Sequence, residues 1–407
     1  MHEEFRSGRT RRPLIGERRG LRAELLAEAA LRRSGRKSFA DRSFFRALQC
    51  LTDSFNREAG LSAFGQLAAK YDIARCLRNL LRFDALEAAC PSVLNRPISA
   101  PLFITGMPRS GTTFLHRLIL QDPRMAAPRL VHLVHPLAAR QGRIGAQLRH
   151  LSVRMQVSIF RLIAPELNAL HPIAVDEPEE CGDITAQVFQ SLRFDSMYRV
   201  PTYRAWLQRN GCLEAYRFHR RFLQHLDAQL PGRRWVLKAP DHVFALQDLR
   251  RVYPDARLVC VHRDPVRVLA SVAKLTEVLR RPFASSIDRA EIGGQVSSAW
   301  IEGAQRMSEL ADCGSVLHLT YRQITGAPLD AVREVYRHCS IDLDQAAEAR
   351  MRAWLRTSRN APKPRRHYDL AQFGLDPQQL RERFQIYTRV FGIELEAEDA
   401  GIGPLAK

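Results

Sequence analysis

Apolar and polar positions divide the chain into two rhythms. Residues 1 to about 96 place apolar side chains at i, i+3 and i+4 spacing, as in LTDSFNREAG and AKYDIARCLRNLLRFDALEAA, without strand-like alternation. From Ala100 onward four short apolar runs appear, each bounded by polar or turn residues: PLFIT (101–105), WVLK (235–238), RLVCVH (257–262) and SVLHL (315–319). Helical patterns separate these runs. That order predicts βαβ units and a parallel β-sheet flanked by helices, an α/β fold. Between the first and second strands lies a mostly helical insert, 124–234, which contains HLSVRMQVSIFRLIAPEL. Ligands bind beyond the carboxyl ends of parallel strands, so the insert is expected to shape the substrate side of a site. The expected organisation is a basic N-terminal arm and helical region (1–96), an α/β core with its insert (97–330) and a C-terminal helical segment (331–407).

The junction after the first strand carries the most chemistry. PLFIT runs into Gly106-Met107-Pro108-Arg109-Ser110-Gly111-Thr112-Thr113, and Phe114, Leu115, Leu118 and Ile119 then mark one apolar helix face. Glycines 106 and 111 have the GxxxxG spacing of a P-loop, whose backbone N–H groups and helix N-terminus bind anions. Nucleotide hydrolases place Lys after the second glycine and hold Mg²⁺ with the next hydroxyl. Here Thr112 stands in the Lys position. Arg109, inside the loop, is therefore the natural cation for a transferring group, because its planar fork matches phosphate or sulfate oxygens and stays charged at any working pH.

Charge supports an anionic partner without naming it. The 407 residues include 62 Lys+Arg against 43 Asp+Glu, a formal net charge of +19. Nucleic acid, an anionic membrane surface and an acidic small molecule all fit such a field. All but six of the basic residues are arginine, a skew that a GC-rich genome's codon usage would also produce without any function. The first forty residues read as an exposed basic arm, with weak contact to anionic surfaces as its other use. No helix-turn-helix, zinc-finger spacing or RNP motif is present, so nucleic acid is not expected. The eight cysteines form no CxxC pair, which predicts free thiols in a reducing cytoplasm. No run is long and apolar enough for a transmembrane helix, and the N-terminus has no secretory h-region.

The glycine loop resembles the 5′-phosphosulfate-binding loop of sulfotransferases, which use 3′-phosphoadenosine 5′-phosphosulfate (PAPS) and release 3′,5′-diphosphoadenosine. WVLKAPDHVFALQDLRRVYPDARLVCVHRDPVRVLASVAK (235–274) resembles that family's second signature, in which a strand ends in Arg and a Ser follows eight residues later. The resemblance implies that Arg263 and Ser271 hold the 3′-phosphate. The residues agree with it: Asp264 and Pro265 read as N-cap and N1 of a helix, which puts Arg263 at a strand end. LTYRQITGAP (319–328) is similar to the family's tyrosine-containing strand end, implying a nucleotide contact by Tyr321. RRHYDLAQFGL (365–375) is similar to a C-terminal stretch that closes over the nucleotide, which brings in Arg365 and Arg366. Similarity to a bacterial group with GMPRSGTT and LKAP covers roughly residues 50–390. It assigns Pro108, Arg109, Ser110, Gly111, Thr112 and Thr113 to the donor, and Lys238 to its sulfate. Two departures are Ala239 for a frequent Ser, and Val131-His132 for a usual aromatic-Glu pair.

Sulfuryl transfer needs in-line positioning and charge stabilisation more than covalent help, and no metal is expected. An acceptor hydroxyl needs a base. His132 is the first candidate, because it falls where the family's Glu commonly sits. Glu177 and Glu180, in the acidic patch VDEPEECGD (175–183), come next, and His242 is third. A P-loop kinase acting on a small molecule with ATP and Mg²⁺ is the rival enzyme class, disfavoured by Thr112. An inactive anion- or nucleic-acid-binding relative is the other. The acceptor is expected to be a small molecule bearing a hydroxyl.

Overall fold

A computed structural model describes residues 20–136, 142–170, 173–359 and 369–396. A parallel sheet of five strands lies at its centre: β1 (Leu102–Gly106), β2 (Met125–Ala126), β3 (Arg234–Lys238), β4 (Arg257–His262) and β5 (Val316–Thr320), in the order β2-β3-β1-β4-β5. Phe103 pairs with Leu237 on one side and with Leu258 on the other. Four strands match the apolar runs of the sequence to within a residue. The fifth, β2, is an edge pair of two residues, too short to carry a period.

The sheet explains why its strands read as continuous apolar runs. Alternate residues face opposite layers, and both layers are dry. Phe103, Leu237, Leu258 and Cys260 join a core that includes the N-terminal helices α1 (Ala23–Ser34), α2 (Phe45–Arg57) and α3 (Ala63–Ala89). Ile104, Val236, Val259 and Val261 face the other layer, against α4 (Thr112–Ile119) and the helix Pro328–His338. The insert opens with α5 (Leu130–Val134) and α6 (Gly142–Ile163) and continues in short helices to β3. Among the described residues, no helix is long and apolar enough to cross a membrane.

One expectation is corrected at the N-terminus. Instead of a solvated arm through residue 40, Ala23–Ser34 is a packed helix that buries Ala23, Leu26 and Ala27. Its apolar positions at 23, 26 and 27 have helical spacing, which the density of flanking arginines obscured. Residues 1–19, the rest of the basic run, lie outside the described residues.

The chain leaves β1 toward β3 and later returns on its other side to β4 and β5. That reversal makes the carboxyl end of β1 the topological switch point, where open α/β sheets bind ligands. Gly106 ends the strand there with φ 122°, and a Cβ on it would stand 2.2 Å from the Val261 carbonyl oxygen. Gly106→Ala is therefore expected to cost about 3 kcal/mol or more, from strain and from forced separation of β1 and β4. Gly294, on the exposed side of the helix Arg289–Ser308, has no atom within 4 Å of a built Cβ. Gly294→Ala should stabilise by about 0.5–1 kcal/mol. Urea denaturation of the two variants checks both signs.

Candidate active site

The glycine loop is shaped by its neighbours. Met107 N–H donates to the Val261 carbonyl at 3.3 Å, and Ser110 Oγ donates back to the Met107 carbonyl at 2.6 Å. Arg109 adopts φ 62°, a left-handed conformation that costs a non-glycine residue about 1–3 kcal/mol and must be held by its surroundings. The hold comes from Arg263, whose Nη1 donates to the Arg109 carbonyl at 2.8 Å. Gly111 caps α4 with φ 95°. The loop ends with Thr112 and Thr113 in the first turn of α4, where free N–H groups favour an anion.

The second signature converges on this loop. Asp264 caps the helix Pro265–Arg280 by accepting from Val266 N–H at 2.9 Å, with Pro265 at N1, as the sequence predicts. This fixes Arg263 at the end of β4 and Ser271 on the helix, where Ser271 Oγ accepts from Arg109 Nε at 3.3 Å. Tyr321, the first residue after β5, lies under the Arg263 guanidinium at 3.9 Å from its ring centre and beside Gly111. The Glu396 carboxylate also grips Arg263, with contacts of 2.6 Å to Nε and 2.8 Å to Nη2. Sequence reading missed Glu396, because a partner so distant along the chain leaves no local pattern.

Lys238 ends β3 almost fully buried. Its Nζ donates to Thr113 Oγ1 at 3.2 Å and to Glu180 Oε1 at 2.5 Å, joining the loop to a carboxylate. Backbone bonds fix that carboxylate: Glu179 N–H donates to the Pro128 carbonyl and Cys181 N–H to the Lys238 carbonyl, each at 3.0 Å. Glu180 lines a cavity of about 1200 Å³ that opens beyond the strand ends. Pro108, Arg109, Thr112, Thr113 and Arg263 line its polar end. Phe160, Leu275, Leu279, Phe283 and Tyr198 line the remainder, which is mostly apolar.

The other base candidates do not reach this cavity, and each has a structural occupation. His132 turns back on α5, where its Nδ1 accepts the Arg129 N–H at 3.2 Å. Burial, reinforced by Arg129, lowers its pKa to about 4. Glu177 pairs with Arg117 at 3.2 Å and is close to half exposed. His242 is buried, with Nδ1 2.7 Å from Tyr216 Oη and its ring edge-on to Phe103; burial, aided by His219, depresses its pKa strongly. Of the acidic patch, Glu179, Glu180 and Asp183 line the cavity, and Glu180 is the one whose carboxylate meets Lys238. Arg365 and Arg366 lie outside the described residues.

Further groups at the wall come from distant segments and left no sequence signal. Arg193 joins Asp72 (2.7 Å) and Asp183 (2.8 Å) in a half-buried network. Burial, with the charge of Glu180 as the next cause, raises the Asp241 carboxyl to about 7. Cys260, His262 and His318 converge elsewhere, between β4 and β5. The ring nitrogens of that histidine pair are engaged with each other, with Tyr387 Oη and with the Leu310 carbonyl.

Comparison with known proteins agrees with this fold. The family model described as "Sulfotransferase family" matches residues 101–345, from β1 past β5. Omega-hydroxy-beta-dihydromenaquinone-9 sulfotransferase Stf3, of Mycobacterium bovis and of Mycobacterium tuberculosis, is 26% identical over 268 residues, 63% of this chain and 66% of the relative. The aligned part thus spans just under two thirds of those relatives. The crystal structure of sulfotransferase STF9 from Mycobacterium avium superposes with a TM-score of 0.81 at 27% identity, covering 93% of this chain and 98% of that one. STF1 from Mycobacterium tuberculosis H37Rv gives 0.77 at 28% identity, covering 89% and 97%. The family model covers more than half of the residues, and the chain belongs to the sulfotransferase family.

Proposed function

We propose that this protein transfers a sulfuryl group from PAPS to a hydroxyl on an apolar small molecule, without a metal. The observation that carries the reading is the convergence of Arg109, Lys238, Arg263 and Ser271 on one loop at the switch point, with Glu180 facing an apolar cavity. Two anion positions fit this arrangement. The loop N–H groups, Thr112, Thr113 and Lys238 suit the 5′-phosphosulfate, whereas Arg263 and Ser271 suit the 3′-phosphate, with Tyr321 stacked beneath Arg263. The relatives' action on a menaquinone hydroxyl is consistent with an apolar acceptor.

Each residue then has a task. Lys238 and Arg109 stabilise the charge that grows on the bridging oxygen as the sulfuryl group departs. Glu180 takes the acceptor's proton, and its contact with Lys238 keeps it aimed. The apolar walls exclude water, which would otherwise compete for the sulfuryl group.

Melting the protein with 3′,5′-diphosphoadenosine and, separately, with ATP·Mg²⁺ tests the donor. A ligand at one hundred times its Kd adds about 2.7 kcal/mol of apparent stability, so a clear upward shift with the diphosphate is expected. A shift with ATP·Mg²⁺ alone would favour the kinase reading.

Arg109→Ala and Glu180→Gln are each expected to lower kcat roughly 10²–10³-fold in a PAPS turnover assay. His132→Ala and Glu177→Gln should leave kcat within a few-fold of wild type. If His132→Ala alone removed turnover, Glu180 would lose its role.

Because Glu396 holds Arg263, it competes with any phosphate there. Glu396→Gln should tighten 3′,5′-diphosphoadenosine binding several-fold, by removing a charge-assisted pair that the ligand must break. Calorimetric titration of wild type and variant measures this directly; unchanged or weaker affinity counts against Arg263 as the 3′-phosphate cation.

A further inference from the structure

Helix α6 is apolar on two opposite faces, and among the described residues the fold covers only one. Val153 and Val157 are buried against α5, and Phe160 stacks on Phe283. On the far side Ile144, Leu148, Leu151, Met155, Ile159 and Leu162 are between 54% and 81% exposed. At about 100° per residue these six fall within roughly 80° of arc, centred almost opposite the buried face. A soluble surface helix normally turns polar residues outward, so a stripe this long and this exposed calls for a partner.

The stripe continues into the cavity mouth. Ile159 and Ile163 both line the cavity and face outward, and on α3 so do Phe64 and Tyr71, with exposed Leu67 between them. Phe283 joins the two helices, stacked on Phe64 at 5.9 Å and on Phe160 at 6.3 Å. One apolar surface therefore runs from solvent along α6, across the mouth, to the apolar walls inside.

Charge decides what covers it. Residues 142–163 contain arginines at 143, 149, 154 and 161 and no Asp or Glu. Arg154 and Arg161 are exposed and lie on the same flank of the stripe. A second copy docked through this face would bring arginine flanks together, on a chain already at +19. An anionic lipid surface reverses that sign: headgroup phosphates meet the arginines while the leucines enter the acyl boundary.

We propose that α6 and the start of α3 form a membrane-docking face that seats the cavity mouth on an anionic bilayer. The docking follows from this surface alone. That it presents a lipid-held acceptor to Glu180 rests on the sulfotransferase reading above, and deepens it by placing the acceptor in the bilayer.

Flotation with phosphatidylcholine vesicles, with and without about one third phosphatidylglycerol, tests it. The full chain is expected to float with the anionic vesicles. Leu148→Ser/Leu151→Ser/Leu162→Ser changes only exposed side chains outside the cavity wall, and should lower partitioning at least about tenfold. Arg154→Gln should lower it about fivefold on the anionic vesicles alone. The melting shift with 3′,5′-diphosphoadenosine should be the same in all three proteins, which shows that fold and nucleotide site are intact. Absence of wild-type flotation, or equal flotation of the triple variant, overturns the docking face. So does a dimer in sedimentation that forms without vesicles and disappears in the triple variant. Vesicle binding without any nucleotide shift leaves the docking face in place and sinks the donor reading instead.

Discussion

The site depends on how closely the backbone leaving β1 approaches β4. Gly106 can lie against the Val261 carbonyl only because it has no side chain, and the same carbonyl receives the next N–H, from Met107. This contact fixes where the loop begins. Two residues beyond Val261, Arg263 reaches back to the Arg109 carbonyl and holds the left-handed turn. The loop and the second signature are thus one mechanical unit, and a change in either strand end would move both anion positions. Preorganisation of this kind lets positioning do most of the work in a group transfer that needs little covalent help.

Much of the fold was legible because its signals are local. Buried parallel strands read as apolar runs, Asp264-Pro265 marked a helix start, and the glycine spacing announced the turn after β1. What was not legible comes from contacts between distant segments. The two residues of β2 have no period of their own, and α1 was hidden by arginines that share its surface. Glu396 on Arg263 and Arg193 between Asp72 and Asp183 are meetings that only the folded chain makes.

The acidic patch shows where local reading fails. Glu177 and Glu180 are three residues apart in the same acidic patch, and nothing in their spacing ranks them. The ranking comes from backbone bonds on either side of Glu180, to Pro128 and Lys238, which turn that one carboxylate toward the loop. Glu177 is left outside the cavity, paired with Arg117. His132 had the position expected by analogy, but its ring nitrogen caps the short helix that carries it, and burial keeps it neutral.

Charge and apolarity divide the labour of this surface. Many of the arginines are tied to nearby carboxylates, so the net charge overstates how much of the molecule is available to an anion. At the polar end of the cavity a few cations stand close enough together to bind a donor with several negative oxygens. Beyond it the lining is mostly apolar, with Arg193, Asp183 and Asp241 set into the wall, and it runs outward onto α6. Under the proposed function, an acceptor reaching Glu180 through such a passage gains more from burying apolar surface than from any charge it carries, at about 25 cal/mol per Å² removed from water. On that proposal, selection among acceptors lies in length and apolar shape, whereas recognition of the donor lies in the spacing of its anions.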